Sequence, residues 1–482
     1  MEKIVLYPSP GIGHLISMVE LGKLLLSHTS SISSITILIP NFPFIKGSYS
    51  SYISSVSSSF PSITFISLPS VPLLHGDPSN YENMEHILFE TLGNNNPNVL
   101  QCLQSISESS PISAFIIDFF CYPSLEISKS LEIPTYFFFT SGASCMALFL
   151  NFPVYDKIYS DSFRNLDAMI EIPGLFSVHS SYMVEPVLDR GKSYSEFVKV
   201  SENFRKSDGI IINTFESLEE KAVMGLKQGI CLPGNPIPPV YFIGPLIATR
   251  GDNNGGERDE CLGWLDSQPS QSVVYLGFGS RGMFSMEQLW EIAIGLENSG
   301  VRFLWVVRSP PPTSRDINNV FLAPPELDLN SILPEGFLDR TKDRGLVVKS
   351  WVPQIQILGH RSVGGFVTHC GWNSILEAID DGVPMVAWPL YAEQRFNKVL
   401  LVEEIGIALP MNESKDRFVC SSEIEKRVKQ IISSKEGDVV RKRVLELKDE
   451  AKATINEEGS SSVALKTFIK SWNKTLHRER ET

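Results

Sequence analysis

Residues 351–394 read WVPQIQILGHRSVGGFVTHCGWNSILEAIDDGVPMVAWPLYAEQ, and this stretch indicates the fold class. The apolar run Gly365–Thr368 is a candidate buried strand, the turn after it opens a helix near Trp372, and Pro384–Ala387 is the next candidate strand. Strand, helix and strand in this order form the repeating unit of a parallel sheet. We therefore predict an α/β fold.

The same alternation extends over the rest of the chain. Many candidate strands are rich in Ile, Val and Phe without alternating polar residues, which is typical of strands covered on both faces. Ser285–Asn298 is the clearest helix, with a capping box formed by Ser285 and Gln288 and an end at Gly300. The other predicted strands are Lys3–Tyr7, Ser34–Ile39, Ile63–Leu68, Ala114–Phe119, Thr135–Phe139, Gly209–Asn213, Ser272–Phe278, Arg302–Val307 and Gly345–Ser350.

A polar, glycine-rich segment at 248–258, ATRGDNNGGER, separates two sets of strand–helix units. We predict two doubly wound, Rossmann-like domains that face each other across a cleft. The N-terminal domain is expected at 1–247 and the C-terminal domain at 259–456, with the linker between them. Residues 457–482 are expected to form a helix that packs back toward the N-terminal domain.

The composition is that of a globular protein. The chain has 482 residues, of which 43% are hydrophobic and 20% charged, and its formal net charge is −13. An acidic surface argues against nucleic acid or an anionic membrane as a partner. Seven widely spaced cysteines without C-x-x-C are expected to be free thiols of a reducing compartment. We expect a cytoplasmic protein with no membrane span, and we expect it to be a monomer.

The HCGWNS turn has the chemistry of an anion site. A helix N-terminus offers N–H groups and the positive end of a dipole, and Gly371 permits close approach of the backbone. His369, Asn373 and Ser374 add donors. Glu377 lies one turn further on the same face, where its carboxylate can accept hydrogen bonds from a pair of sugar hydroxyls. The pattern suits the phosphates and ribose of a nucleotide, although an ordinary helix cap with a satisfied histidine uses the same residues.

Three more residues of this stretch suit a nucleotide sugar. Glu393 and Gln394 follow the carboxyl end of a strand, where open α/β sheets bind ligands, and together they can share several sugar hydroxyls. Trp351 begins the loop after Gly345–Ser350, where an indole can stack on a base. The alternatives are a solvated pair that opens a helix and a tryptophan packed in the core.

A histidine and an aspartate fall at the carboxyl ends of two N-terminal strands. His14 follows Lys3–Tyr7 in the turn PSPGIGH, and Asp118 lies at the end of Ala114–Phe119. Histidine titrates near neutral pH and can remove a proton from a phenol. A carboxylate on its far nitrogen would fix the tautomer and stabilise the imidazolium.

The 44-residue stretch from Trp351 to Gln394 resembles the signature box of plant secondary-product glycosyltransferases, the UDP-sugar-dependent family 1 enzymes. The resemblance extends over essentially the whole chain and is closest to the branch that acts on flavonoids, chalcones and related phenolics. It implies the GT-B architecture, UDP-glucose as the donor cosubstrate and no prosthetic group. It also implies that His14 and Asp118 form the catalytic dyad.

The resemblance further implies which residues contact the donor. Those for the nucleotide are Trp351 and the backbone of Val352 at uracil, Gln354 and Glu377 at the ribose, and Ser280, His369, Asn373 and Ser374 at the diphosphate. Those for the sugar are Thr140, Glu393 and Gln394. The remaining members of the predicted donor site are Gly13, Gly371, Trp372 and Tyr391. Gln394, where some relatives have histidine, favours glucose over galactose.

The implied reaction is a direct displacement with inversion, in which His14 removes the acceptor proton and a β-glucoside forms. No D-x-D motif and no His/Cys cluster with ligand spacing occurs, so we expect no metal. Aromatic, apolar walls suit a planar phenolic acceptor. The residues expected to provide them are Phe119, Phe120, Met183, Tyr391 and those of 81–92, with plain core packing as the alternative.

Two departures from the family pattern leave O- versus C-glycosylation open. Arg281 stands where an apolar residue is usual after FGS, and it is placed either to bind phosphate, to orient a phenolate or to point into solvent. Asp380 and Asp381 are unusually acidic before Gly382. We predict O-glucosylation of a phenolic small molecule, with C-glycosylation of the same scaffolds as the alternative.

Two remote alternatives are a nicotinamide oxidoreductase and a non-catalytic sensor of nucleotide sugars. GIG at 11–13 begins like a dinucleotide fingerprint, but Ile16 occupies the third glycine position. Strand Ser34–Ile39 is followed by Pro-Asn and not by an acid that could bind ribose. The presence of both His14 and Asp118 argues against a sensor.

Overall fold

The structure, a computed structural model, describes residues 2–29, 32–42, 49–248, 256–311, 327–349 and 352–478. The chain forms two units. Unit 1 comprises residues 1–248 and 453–482, and unit 2 comprises residues 249–452. Most of the expected linker, residues 249–255, lies outside the described residues.

Unit 1 is built on a parallel sheet. Its strands are β1 (Glu2–Tyr7), β2 (Ile32–Ile39), β3 (Ile63–Ser67), β4 (Ile112–Asp118), β5 (Thr135–Phe139), β6 (Met169–Glu171), β7 (Ser177–His179), β8 (Gly209–Ile212) and β9 (Val240–Phe242). Seven of them pair in the order β3-β2-β1-β4-β5-β8-β9, and β6 and β7 form a separate antiparallel pair. The strand order reverses between β1 and β4, so ligands are expected at the carboxyl ends of these two strands.

Helices connect the strands of unit 1. They are α1 (Ile12–His28), α2 (Ser50–Ser59), α3 (Met84–Asn94), α4 (Asn96–Ser109), α5 (Leu125–Ser130), α6 (Ala143–Leu150), α7 (Phe152–Ile158), α8 (Lys192–Phe204) and α9 (Glu220–Lys227). The apolar face of α1 includes Leu15, Met18 and Leu25, which are buried in one core with Ile4 and Leu6 of β1. Burial of this face fixes the first turn of α1 against the end of β1.

Unit 2 has a second parallel sheet. Its strands are β10 (Val273–Gly277), β11 (Arg302–Val307), β12 (Gly345–Lys349), β13 (Val363–Thr368), β14 (Met385–Ala387) and β15 (Ala408–Pro410). They pair in the order β12-β11-β10-β13-β14-β15, all parallel. The order reverses between β10 and β13, so this unit repeats the winding of unit 1.

The helices of unit 2 cover this sheet. They are α10 (Gly256–Asp266), α11 (Met286–Ser299), α12 (Leu329–Ile332), α13 (Phe337–Thr341), α14 (Gln354–Leu358), α15 (Trp372–Asp381), α16 (Gln394–Val399), α17 (Ser421–Ser433) and α18 (Lys435–Thr454). Apolar residues of α11, such as Leu289, Ile292 and Leu296, are buried in one core with Val274 and Leu276 of β10.

The chain then returns to unit 1 through its last helix, α19 (Ser460–Arg478). Phe468 and Trp472 of α19 are buried in the same core as β1. The ring of Phe468 is 4.9 Å from that of Tyr136 and 5.1 Å from that of Tyr241, measured between centroids. The last helix is therefore an internal part of unit 1.

The start of α11 differs in one respect from the predicted capping box. The Ser285 hydroxyl accepts the Gln288 N–H at 3.3 Å, and Gly300 ends the helix with φ 64°, both as predicted. The Gln288 side chain instead bonds Val419, donating from Nε2 at 2.8 Å and accepting at Oε1 at 2.9 Å. The predicted return hydrogen bond from the Gln288 side chain to the start of the helix is wrong, because this carboxamide binds the backbone of a distant segment.

All eleven predicted strands are present. Their described ends lie within two residues of the predicted ends, and Ser350, one predicted end, lies outside the described residues. The strands that the sequence did not indicate are β6, β7, β9 and β15, each three residues long. Such short segments carry too little pattern to be recognised. In the described part of the chain, no helix is long and apolar enough to cross a membrane. All seven cysteines are free thiols.

Candidate active site

His14 and Asp118 meet at the carboxyl edge of the unit 1 sheet, where the strand order reverses. His14 lies in the first turn of α1, and Asp118 is the last residue of β4, which pairs with β1. The His14 Nδ1 is 2.7 Å from the Asp118 Oδ2, although 104 positions separate the two residues. The structure thus brings the two residues of the predicted dyad into hydrogen-bonding contact.

The two partners differ in exposure. The side chain of Asp118 is fully buried, whereas that of His14 is 29% exposed. The second carboxylate oxygen of Asp118 accepts the Phe120 N–H at 3.1 Å, which fixes the carboxylate. A proton on Nδ1 of His14 satisfies the buried acid and leaves Nε2 as the proton acceptor. This arrangement is that of a general base oriented by a carboxylate.

Two more predicted residues of unit 1 lie beside the dyad. The Thr140 hydroxyl, just after β5, is 3.3 Å from the His14 Nδ1. Gly13 immediately precedes His14, and its carbonyl accepts the Ser17 hydroxyl at 3.0 Å. Gly11 caps α1 with φ 130°, a backbone conformation that favours glycine, and a Cβ there would lie 3.4 Å from the His14 ring. The glycines of the PSPGIGH turn therefore shape the approach to His14.

Of the predicted acceptor residues in unit 1, two adjoin the dyad. Phe119 and Phe120 follow Asp118 in a 3₁₀ turn, and their ring centroids are 6.3 Å and 5.9 Å from that of His14. Met183 is 0% exposed at the end of another 3₁₀ turn, so it presents no surface to a ligand in this conformation. The aromatic pair is the part of the predicted acceptor wall that lies next to the base.

The predicted ribose ligands also lie together. Gln354, the first residue of α14, donates from Nε2 to the Glu377 carboxylate at 2.6 Å and to the Ser374 hydroxyl at 2.8 Å. The Tyr275 hydroxyl donates to the Gln354 Oε1 at 3.1 Å. Burial raises the pKa of Glu377 to about 7, the hydrogen bond from Gln354 opposes this, and nearby Asp381 adds to it.

His369 follows β13 at the corresponding edge of unit 2 and is only 6% exposed. A Cβ on Gly279 or on Gly371 would lie 2.4 Å from the His369 Nε2, so both positions require glycine. Burial lowers the pKa of His369 to about 4; the nearby Arg308 lowers it further, and a hydrogen bond to the Gly277 backbone opposes both effects. At neutral pH this imidazole donates a hydrogen bond but carries no charge.

The turn before α15 is held in an unusual conformation. Cys370 has φ 66°, its N–H donates to the Thr368 hydroxyl at 3.2 Å, and its carbonyl accepts the Asn397 amide at 3.0 Å. Gly371 is the N-cap residue of α15 and has no side chain with which to cap the helix. The indole of Trp372 is buried, whereas Asn373, the next residue of this helix end, is half-buried.

Arg308 is a charged residue of this edge that the sequence analysis did not identify. Arg308 follows β11. Leu276 of β10 pairs with Trp305 of β11, and three residues further along the two segments the corresponding positions are Gly279 and Arg308. Burial lowers its pKa, and Tyr391 and Tyr275 oppose this. Within the described ranges no carboxylate forms an ion pair with it. An arginine directly after an apolar strand was the available signal.

Tyr391 lies between two basic residues of this edge. The Arg281 guanidinium carbon is 5.1 Å from the centroid of the Tyr391 ring, and the His369 ring is 6.0 Å from it. Arg281 and Ser280 are both exposed in the turn after β10. The unusual arginine thus has an exposed side chain that also packs on a predicted ligand-binding tyrosine.

The adjacent pair Glu393 and Gln394 opens α16. Gln394 is almost fully buried, and its Oε1 accepts the N–H groups of Leu390 and Tyr391, each at 2.9 Å. Glu393 is the half-buried residue that caps the helix. The carboxamide oxygen therefore shapes the loop that presents these residues. Trp351 lies outside the described residues, and its neighbour Val352 is buried.

One group of metal-ligand type occurs among the described residues, and it lies apart in sequence from both clusters above. Ligand atoms of His75, His86 and Glu90 in unit 1 are within 4.8 Å of one another. The expectation that no cluster has ligand spacing overlooked this set, because the fold brings His75 to the other two.

The chain is similar to known proteins over nearly its whole length. The family model for "UDP-glucoronosyl and UDP-glucosyl transferase" matches residues 226–448. The chain is 50% identical to "UDP-glycosyltransferase 88B1" of Stevia rebaudiana over 98% of this chain and 99% of that protein. It is 45% identical to "Phloretin 2'-O-glucosyltransferase" of Malus domestica over the same shares of the two chains.

A solved structure is also similar. The complex of Phytolacca americana UGT2 with UDP-2fluoro-glucose and pterostilbene is 37% identical to this chain, with a TM-score of 0.86 over 98% of this chain and 100% of that one. The predicted GT-B class, with two Rossmann-like units, and the predicted resemblance are confirmed. The chain belongs to the UDP-glycosyltransferase family and is a glycosyltransferase.

Proposed function

We propose that this chain is an inverting, UDP-glucose-dependent enzyme that transfers glucose to an oxygen of a phenolic small molecule such as a flavonoid or chalcone. The contact of His14 with the buried Asp118 carries the proposal, because it supplies a base for a weakly acidic hydroxyl. The names of a 45% identical phloretin glucosyltransferase and of the pterostilbene complex support the acceptor class.

The acceptor half of the reaction uses unit 1. The phenolic ring packs beside Phe119 and Phe120, and the Nε2 of His14 takes the hydroxyl proton. Asp118 stabilises the resulting imidazolium. The acceptor oxygen forms its bond to the anomeric carbon as the bond to the UDP oxygen breaks, and attack opposite the leaving group gives the β-anomer. Thr140, next to the dyad, contacts the transferred sugar.

The nucleoside of the donor is held by unit 2. The ribose hydroxyls donate to Glu377 and share Gln354, replacing the hydrogen bond that now joins these two side chains. Uracil stacks on Trp351 and pairs with the Val352 backbone. Glu393 and Gln394 bind the sugar hydroxyls and select glucose. These roles follow the family pattern at matching positions.

The diphosphate is held by the N-terminus of α15 with Asn373, Ser374, Ser280 and His369. Because His369 is neutral, it contributes a hydrogen bond and no charge. Arg308 supplies the positive charge: a half-buried guanidinium without a carboxylate is costly, and an anionic ligand would compensate it. Charge that develops on UDP as it leaves is stabilised by these donors, and no metal ion is required.

The test is a mass-resolved assay with the purified chain, UDP-glucose, EDTA and a panel of flavonoids, chalcones and simple phenols. We expect one added hexose that acid hydrolysis removes, with β configuration. The matched variants are His14→Ala, which should slow product formation by about 10²–10⁴-fold, and His28→Ala at the exposed end of the same helix, which should form product at the wild-type rate.

Each alternative gives a different result. An acid-stable hexose that fragments across its ring would establish C-glycosylation and make Arg281 the next residue to replace. An α-linked product would contradict inversion. Product formation by His14→Ala at the wild-type rate would remove the dyad from the mechanism.

We also propose that the protein is a monomer located in the cytoplasm. The seven free cysteines support a reducing compartment. Light scattering on the purified chain tests the oligomeric state, and a fluorescent fusion tests the location. A stable dimer or an organelle pattern would contradict these statements.

A further inference from the structure

His75, His86 and Glu90 converge on one side of α3. His86 and Glu90 are four residues apart in this helix and therefore share a face. His75 comes from the preceding loop, and its Nε2 is 3.4 Å from the Glu90 Oε2. All three ligand atoms lie within 4.8 Å of one another, and the exposed side chain of His75 can adjust toward the other two ligands on binding a metal.

The carboxylate is already oriented by its neighbours. The Glu90 Oε1 accepts the Leu74 N–H at 3.2 Å and the Tyr81 hydroxyl, which leaves Oε2 facing His75. The Tyr81 hydroxyl in turn accepts the backbone N–H of His75 at 3.3 Å. Contacts of this kind, behind the ligands, hold a metal site in its binding geometry.

The helix that carries two of the ligands is fixed as well. The Asn83 side chain caps α3 because its Oδ1 accepts the backbone N–H of His86 at 3.0 Å. The ring of Tyr81 lies edge-on to both imidazoles, 4.9 Å from that of His86 and 5.2 Å from that of His75. Both imidazoles therefore pack against the Tyr81 ring, and they lie close enough together to bind one metal ion.

His86 provides a second, independent observation. Its Nδ1 is buried and has no hydrogen-bond partner among the described residues. A buried polar atom without a partner is unfavourable, and such atoms in native proteins call for an explanation such as an ion or water. A metal ion bound at the Nδ1 of His86 would be such a partner.

We propose that His75, His86 and Glu90 bind one divalent transition-metal ion, with Zn²⁺ as the best match. Two neutral imidazoles and one carboxylate form a ligand set that Zn²⁺ uses, whereas Ca²⁺ and Mg²⁺ prefer oxygen ligands. The ion joins the loop around His75 to α3. His75, His86 and Glu90 belong neither to the dyad nor to the predicted donor contacts, and Zn²⁺ binding is measured without glucosyl transfer, so the proposal stands or falls separately from the proposed function.

Calorimetric titration of the full, chelator-treated chain with Zn²⁺ tests the site. We expect one Zn²⁺ per chain for the wild type and at least tenfold weaker binding for His86→Ala, Glu90→Gln and His75→Ala. His75 is exposed on a loop, so its variant is expected to fold normally even if His86→Ala does not. Zn²⁺ should raise the melting temperature of the wild type and leave that of His75→Ala unchanged.

Two control variants separate this site from other metal ligands. His179→Ala removes the exposed His179–Asp167 pair of unit 1, and Cys420→Ser removes the exposed thiol. Both should bind Zn²⁺ like the wild type. The proposal is overturned if the wild type binds no Zn²⁺, if His75→Ala binds it equally well, or if Cys420→Ser abolishes binding. Hydrogen exchange at 72–80 should slow with Zn²⁺, and unchanged exchange would contradict the joining of loop and helix.

Discussion

His14 and His369 each lie at the sheet edge of their own unit and have opposite surroundings. Each follows a strand at the edge where the order of its sheet reverses. His14 contacts a buried carboxylate and keeps 29% of its side chain exposed. His369 is buried between two glycines, and the charged group that lowers its pKa is a cation, Arg308. The fold thus determines where a histidine stands, and its neighbours determine its chemistry.

The difference separates two roles that the same side chain can fill. A partner carboxylate favours the protonated imidazolium, so His14 is suited to accept a proton. Burial next to a guanidinium disfavours that form, so His369 is kept neutral and serves as a hydrogen-bond donor. A single enzyme can in this way use histidine both as a base and as an uncharged ligand contact.

The largest expected effect comes from replacing the base. His14→Ala should lower kcat by about 10²–10⁴-fold, because general-base catalysis is worth that much, while KM for UDP-glucose changes little. Steady-state kinetics with both substrates varied give the two values. His369→Gln is the counterpart, since glutamine keeps a neutral donor, and it should retain kcat within about tenfold. Equal losses of kcat in the two variants would contradict the different roles assigned to His14 and His369.

The next effect concerns the glycines that enclose His369. Gly279→Ala combines φ +71° with a Cβ placed 2.4 Å from the imidazole, whereas Gly406→Ala has φ +77° and no atom within 4 Å. The left-handed backbone alone costs about 1–2 kcal/mol, and overpacking adds about 1–3 kcal/mol. Denaturant unfolding should show Gly279→Ala to be the less stable of the two. Equal stabilities would mean that the imidazole moves aside freely.

Replacement of Arg308 tests whether this arginine supplies the positive charge at the proposed diphosphate site of unit 2. Arg308→Gln should lower kcat/KM for UDP-glucose by about 10- to 100-fold, because the variant loses the half-buried cation that we propose for the diphosphate site. Arg302→Gln is the matched control at the opposite end of the same strand, where the side chain donates to the Gln268 Oε1. Initial rates at low UDP-glucose measure the effect. A larger loss in Arg302→Gln would contradict the assignment.

The smallest effect is a pH dependence of donor binding. Burial raises the pKa of Glu377 to about 7, so the group loses its proton as the pH rises from about 6 to about 8. The carboxylate accepts ribose hydroxyls better than the acid does, so affinity for UDP-glucose should rise over this range, by up to about tenfold.

The affinity is measured by direct binding, apart from turnover. The diphosphate of UDP-glucose itself does not titrate in this range. Glu377→Gln, which has no proton to lose, should bind UDP-glucose with an affinity independent of pH. A slope that persists in this variant would assign the pH dependence to another group.

Much of the site could be predicted because it depends on local rules. His14 and Asp118 each end a recognisable strand, and neighbouring strand ends in a parallel sheet meet at one edge. Ser374 and Glu377 share a helix face by their spacing alone. Hydrophobic runs of five or more residues likewise located the long strands of both sheets.

The rest depends on contacts that no local pattern contains. Arg308 interacts with Tyr275 and Tyr391, which lie on two other segments of the chain. His75 reaches α3 only because its loop folds back. Gln288 has the right spacing for a capping box, yet its side chain bonds Val419, a distant residue.

The last helix determines the order in which the protein can be completed during synthesis. Phe468 and Trp472 belong to the core of unit 1, yet they are synthesised after the whole of unit 2. Multidomain proteins generally fold from the N-terminus onward, but the core of the first unit of this chain is incomplete until α19 has been made. Unit 2 is continuous in sequence and can close first. A stop codon just before α19 would thus spare the nucleotide-binding half and damage the half that carries the dyad.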